Sequence, residues 1–160
     1  MTLTNQATAV TWVQGGGVTT PGGFEAGAAY AGIKTYGDDP RLDVGLLASL
    51  EPCAVAGVFT RNQVVGAPVA WDRAVLAAGR PVRGLVCNSG NANTVTGGQG
   101  ERDCARMAAL AAARLGCDAR EVLAGSTGVI GRLLPMEKVE RGLAKVALTA
   151  DGGLASRARS

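Results

Sequence analysis

The 160-residue sequence contains no histidine. Imidazole is the usual base of serine and cysteine acyl-transfer sites, so a Ser-His-Asp or Cys-His machine is excluded within this chain. The commonest zinc ligand is missing with it. The four cysteines, Cys53, Cys87, Cys104 and Cys117, form no CxxC pair and do not replace it. The opening MTLTNQATAVTWVQ has neither a charged nor an apolar signal region. These cysteines therefore read as reduced thiols of a cytoplasmic protein, packed as small apolar groups. Aromatic residues are scarce at 4%, the net charge is only +3, and the one basic cluster is the tail Arg157-Ala158-Arg159. Without a basic stripe or stacking platforms, nucleic acid is not an expected partner. No apolar run reaches the ~18 residues that span a bilayer, so no membrane role is expected. Phosphate-loop signatures are absent too: there is no GxxxxGK[ST], and Gly125 to Gly131 reads GxxGxxG, without the tight first pair of a dinucleotide fingerprint.

What the chain has in excess is glycine, 24 of 160 residues, about twice the usual ~7%. The glycines follow no collagen period and form no linker block, so they read as turns and close backbone approaches. The composition, 47% hydrophobic and 18% charged, is that of a globular chain. Residues 1–160 read as one domain, with no internal repeat and no boundary.

Along the chain, residues 15–37 read as turns with one or two short strands. LDVGLLASL (42–50) and CAVAGVFT (53–60) read as strands, the second the stronger of the two. Residues 66–80 read as a helix, with Pro68 in the first turn and Gly79 just past the end. RGLVCNSG (83–90) reads as a strand running into a polar turn. A helix over 100–116 carries the stripe Cys104, Met107, Ala108, Ala111 and Leu115, with Glu101 in its first turn. EVLA is a strand. The last helix, 135–148, buries Met136, Val139, Leu143 and Val146 and pairs Glu137 with Arg141 on its outer face. Strand and helix alternate from residue 53 onward, which argues for a layered α/β domain with some parallel pairing.

Two polar turns follow strands and precede helices, where ligands often sit. The first is CNSGNANTVTGG, 87–98. Its asparagines and glycines suit left-handed backbone and local capping, and shaping a polar pocket is the sharper alternative. The second is Gly125-Ser126-Thr127-Gly128. An ordinary turn in which Ser126 and Thr127 cap local backbone is the simpler reading. The other is an oxyanion site: the Thr127 hydroxyl and the unshielded Gly128 N–H make a donor pair of the kind that stabilises a tetrahedral intermediate, one donor being worth ~3–4 kcal/mol. A third possibility for the chain is a small-molecule or phosphate-binding α/β module, with GGGVTTPGG and TGGQGE as its loops.

AGSTGVIGRLLPM, CNSGNANTVTG, GVFTRNQV and GGVTTPGGFEAGAAYAGIK together resemble the N-terminal part of the ornithine acetyltransferase family, the bifunctional glutamate N-acetyltransferases of arginine biosynthesis. The motifs stand in the family's order over residues 14 to 148. The resemblance implies an α/β fold that is part of an αββα sandwich with mixed sheets, of the DmpA and ornithine-acetyltransferase type, in place of simple parallel winding. It implies a precursor that cuts itself ahead of a threonine, which becomes the N-terminal nucleophile of a β chain. Such a threonine uses its own amine as base, which suits a chain without histidine. The acetyl group is then expected to pass from N-acetylornithine to that threonine and on to glutamate, in an α2β2 heterotetramer. The resemblance assigns oxyanion stabilisation to Thr127 and Gly128. It identifies no substrate-binding residue here and implies neither metal nor cofactor, acetyl-CoA standing as an alternative acetyl donor.

Family members continue through a TTD segment and a lysine-containing glycine-rich stretch to an Ala-Thr cleavage site, none of which occurs in this sequence. Thr149, at the end of the last helix, is not that nucleophile. The expectation is a shortened α portion, inactive by itself and prone to associate, or a non-catalytic remnant of such an enzyme.

Overall fold

The computed structural model describes residues 10–35, 37 and 41–150. The first nine residues and the basic cluster at Arg157 and Arg159 lie outside this range. Four strands form one sheet in the order β1 (Phe24–Ala29), β2 (Val44–Cys53), β3 (Val82–Asn88) and β4 (Val122–Ser126). The first three are antiparallel, and β4 runs parallel to β3. The helices are α1 (Ala67–Ala77), α2 (Gly97–Leu115) and α3 (Met136–Lys145). The sheet is therefore mixed, as the resemblance implies. Its parallel pair is the one whose strands are joined by a helical crossover, α2, since parallel neighbours cannot be linked by a hairpin.

Side chains alternate across each strand. Val44, Leu46 and Ala48 of β2, Val86 of β3, and Val122 and Ala124 of β4 face the helices and are buried. Against them pack Cys104, Met107, Ala108 and Ala111 of α2 and Val139 and Leu143 of α3. The helix stripes read from the sequence are the ones buried. The small alanines of α2 bring that helix close to the sheet. Gly142 does the same for α3, since a Cβ there would meet Ala31 Cβ at 2.5 Å. On the opposite face the register aligns Leu47, Leu85 and Leu123 in one row, each half-buried.

Several local expectations are corrected. Residues 54–60 form no strand; β2 instead runs on to Cys53 through an irregular register after Ala48. The stretch is rich in strand-forming residues, but among the described residues no strand lies beside it to pair. Val58 is fully exposed and Phe59 lies under the Arg73 guanidinium. Helix α2 begins at Gly97, so Glu101 falls beyond its first turn. Among the described residues no ion pair joins Glu137 to Arg141; the outer pairing is Arg106 to Glu140, between α2 and α3, at 2.6 Å. The four thiols are free, but only Cys104 is fully buried and Cys87 is exposed. Burial, with the nearby Asp72 carboxylate adding to it, pushes the Cys104 thiol up to about 12.

Helix α1 lies beside β4 and closes its outer edge with side chains. Trp71 Nε1 donates to the Val122 carbonyl at 2.9 Å, and Asp72 Oδ1 accepts from the Ala124 N–H at 2.8 Å. Arg120 stacks over the Trp71 ring. No helix among the described residues is long and apolar enough to cross a membrane.

Candidate active site

Because β3 and β4 are parallel neighbours, their C-terminal ends lie together, and so do the two polar turns. Asn88 ends β3 opposite Ser126, which ends β4. Asn88 holds both turns. Its backbone carbonyl accepts from the Thr127 N–H at 3.0 Å. Its side-chain Oδ1 accepts from the Ser126 hydroxyl at 2.5 Å, and its Nδ2 donates to the Asn91 carbonyl at 2.8 Å.

The asparagine turn is buried and internally satisfied. Asn91 is 2% exposed and donates to the Leu133 carbonyl. Its Oδ1 accepts from the Asn93 N–H, as expected for an Asx turn. Asn93 is fully buried; its Nδ2 donates to the Gly100 carbonyl and its Oδ1 accepts from the Thr96 hydroxyl. Two non-glycine residues here have left-handed backbone, Asn93 at φ 46° and Val95 at φ 58°. Asparagine tolerates this; a β-branched valine does so only under strain. Gly100 belongs to the same scaffold, since a Cβ there would lie 1.9 Å from Thr96 Oγ1.

The Ser-Thr-Gly turn is braced from behind by this scaffold. Gly128 has φ 126°, and a Cβ on it would fall 2.3 Å from the Gly90 carbonyl carbon and 2.5 Å from Asn91 N. Only glycine fits. The contact continues as a short parallel bridge: Val129 N–H donates to the Gly90 carbonyl and the Val129 carbonyl accepts from Ala92 N–H. Thr127 and Gly128 themselves are exposed. Among the described residues nothing hydrogen-bonds the Thr127 hydroxyl or the Gly128 N–H. The backbone of this turn is thus fixed while two adjacent donors, on exposed residues, have no partner among the described residues. Thr127 also lines a small cavity with Asp43, Gly45 and Cys87 on the sheet face away from the helices.

The structure thus brings together Thr127, Gly128 and the asparagine turn. Sequence reasoning missed Asp43, which is 3% exposed and orders the segment beside the turns by accepting the N–H groups of Ala31 and Ile33 at 2.5 and 2.7 Å. It also missed the Trp71 and Asp72 clamps on β4. Neither has a local signature, because the partners lie 10 to 52 residues away. In the glycine loops of the phosphate-binding reading, the Thr20 hydroxyl accepts the Gly17 N–H, and Gly100 is packed against Thr96 and Asn93. Among the described residues no three His, Cys, Asp or Glu side chains are grouped to hold a metal ion.

Comparison with known proteins places this geometry in a family. The chain is 48% identical over 132 residues to the arginine biosynthesis bifunctional protein ArgJ of Thermus thermophilus, covering 82% of this chain and 34% of that protein. It is 50% identical over 140 residues to the protein of the same name from Symbiobacterium thermophilum, covering 86% and 34%. The chain thus spans about a third of the length of the curated relatives it matches. Its fold superposes with a TM-score of 0.80 on the ornithine acetyltransferase of Mycobacterium tuberculosis, solved with ornithine, at 44% identity, covering 89% of this chain and 77% of that one. The score is also 0.80 for the arginine biosynthesis bifunctional protein ArgJ of Bacillus halodurans, at 32% identity, covering 86% and 70%. The model of the ArgJ family matches residues 25–159, which take in both turns and the sheet that presents them, and the chain belongs to that family.

Proposed function

We propose that this chain supplies the oxyanion-stabilising part of a cytoplasmic glutamate N-acetyltransferase. The supporting observation is the Thr127 hydroxyl beside the Gly128 N–H, both exposed, both without a partner among the described residues, on a turn braced by buried asparagines. Preorganised donors of this kind lower a barrier because they need no reorganisation as charge develops on the substrate oxygen.

The nucleophile is an N-terminal threonine on a β chain, in an α2β2 assembly. Its free amine takes the proton from its own hydroxyl, and the hydroxyl oxygen attacks the acetyl carbonyl of N-acetylornithine. The carbonyl oxygen becomes negative and is held by Thr127 and Gly128. Collapse breaks the C–N bond; ornithine leaves with the proton and the acetyl group stays as an ester. The α-amine of glutamate then attacks that ester through a second tetrahedral oxyanion in the same site; the C–O bond to the threonine breaks, its oxygen regains a proton from the attacking amine, and N-acetylglutamate leaves. No cofactor is required, and acetyl-CoA could enter only as a different acetyl donor to the same threonine.

In an assembly of this chain with its β chain, Thr127→Ala lowers kcat by about 10² to 10³ while KM for N-acetylornithine changes little. Steady-state kinetics check this, and an unchanged kcat removes Thr127 from the role. Intact mass measurement of whatever copurifies with the chain from its native source tests the partner. A bound polypeptide beginning with threonine supports a working two-chain enzyme. Its absence favours a remnant that keeps the turn without the nucleophile.

A further inference from the structure

The cavity between the N-terminal halves of α2 and α3 lies on the helix side of the sheet and has no part in the acyl-transfer reading. Its volume is about 480 Å³, within the range of small-ligand sites. From α2 it is lined by Gln99, Asp103 and Arg106, and from α3 by Glu137, Lys138 and Arg141. The α2 residues stand four and three apart, so they share one helix face. Leu133 to Met136 form an apolar wall.

Of the charged side chains in this cavity, only Arg106 is in an ion pair among the described residues. Asp103 is 5% exposed. One of its oxygens accepts from Gln99 Nε2 at 2.7 Å, and among the described residues no cation pairs with it. Two cationic side chains of the lining have other hydrogen-bond partners. Arg106 donates to Glu140 at 2.6 Å, and Lys138 Nζ donates to the Gly32 carbonyl at 2.6 Å. Arg141 is exposed and has no hydrogen bond or ion pair among the described residues. The cavity therefore offers a buried carboxylate, Asp103, and an exposed guanidinium, Arg141, neither in an ion pair among the described residues, with the exposed Glu137 carboxylate one turn before Arg141 at the rim.

We infer that this cavity binds a small amino-acid zwitterion, its ammonium on Asp103 and its carboxylate on the Arg141 guanidinium, which is suited to two-point recognition of a carboxylate. A short side chain rests on the Leu133–Met136 wall. The carbonyl of Leu133 accepts from Asn91, so the ligand lies one residue layer from the asparagine turn.

The test titrates the chain with glycine, L-ornithine and L-glutamate and follows backbone amides by 1H–15N NMR. Concentrations up to about 50 mM saturate any millimolar site. Saturable shifts are expected at residues 99–106 and 137–141 with at least one of the three. Methylammonium or acetate alone binds at least about tenfold more weakly, a loss of ~1.4 kcal/mol. Arg141→Ala lies on the surface and keeps the fold; it weakens binding at least about tenfold, as does Asp103→Asn. Thr127→Ala leaves the binding unchanged, which separates this site from the acyl-transfer turn. If Asp103→Asn does not fold, the Arg141 variant decides by itself. Absence of saturable shifts with all three amino acids overturns the inference, as does binding that Arg141→Ala does not weaken. The first result would mean that Arg141 folds onto Asp103 and the charges satisfy each other.

Discussion

The two turns at the ends of β3 and β4 use the same kinds of residue, small, polar and glycine-rich, and meet each other directly, yet they are built in opposite ways. In the asparagine turn every side-chain amide is spent inward: Asn88 on Ser126 and Asn91, Asn91 on Leu133 and Asn93, Asn93 on Gly100 and Thr96. In the Ser-Thr-Gly turn Ser126 is spent in the same way, and then the pattern stops. Thr127 and Gly128 have backbone fixed by the neighbouring turn and donors that the protein does not use. Exposed donors that the protein leaves unused are hydrated at little cost to stability and stay available to a ligand. The contrast teaches that a polar residue's hydrogen-bond partners, rather than its type, separate scaffold from site.

The comparison can be broken most severely at the point where the turns touch. Gly128→Val places a side chain into the Gly90–Asn91 backbone at a left-handed φ, and both turns come apart. A loss of more than about 3 kcal/mol is expected from urea unfolding, together with loss of amide protection in residues 88–94. Asn88→Ala comes next. It leaves the Asn91 carbonyl and the Ser126 hydroxyl without their partners, with an expected cost of about 2 kcal/mol by the same measurement. By contrast, Thr127→Ala, which removes a donor bonded to nothing among the described residues, changes unfolding stability by less than about 0.5 kcal/mol.

Asp72 sharpens the comparison from the side, because it clamps the strand that delivers the exposed turn. Burial raises its carboxyl from 3.8 to about 6, against the lowering effect of the Ala124 N–H. Its folded value lies above its unfolded one, so the folded state binds the extra proton between pH ~4 and ~6, and this group's contribution to stability grows as the pH falls through that window. Above pH 6 the protein carries the cost of a half-buried charge. Asp72→Asn keeps an oxygen acceptor for Ala124 and removes the titration. Chemical denaturation should find the variant's stability relative to the parent highest at pH 7.5 and declining as the pH falls toward 4. Within the scaffold a change in the opposite direction is expected. Val95 is exposed and strained at φ 58°. Val95→Asn should raise stability by roughly 1 kcal/mol, seen as a higher urea midpoint at unchanged slope.

Much of the fold is legible because its signals are local. The stripes of α2 and α3, Pro68 and Gly79 around α1, and the apolar run of β4 each specify an element from neighbouring residues alone. The strand expected at 53–60 fails for a non-local reason: Val55, Val58 and Phe59 are strand-forming types, but among the described residues no partner strand lies beside them. The candidate site is legible in part. Its glycine and hydroxyl pattern marks Thr127 and Gly128 as residues of a special turn, and spacing by itself prefers an ordinary one. What separates the two readings is the buried network behind the turn, made by residues 38 to 42 positions away along the chain. Asp43, Trp71 and Asp72 give no sequence signal because their partners are backbone groups, which every residue has.

The clamps of Trp71 and Asp72 on β4 also decide how this sheet can meet another chain. An open strand edge is a template on which a further strand can add, in assembly or in aggregation. Here the Val122 carbonyl and the Ala124 N–H are already occupied, and on the opposite edge Ala26 exchanges both its backbone hydrogen bonds with Thr149. A newcomer strand would have to displace an indole and a carboxylate on one side or the segment after α3 on the other. At these groups lateral addition costs existing contacts, while the half-buried leucine row is the sheet face that the helices leave uncovered.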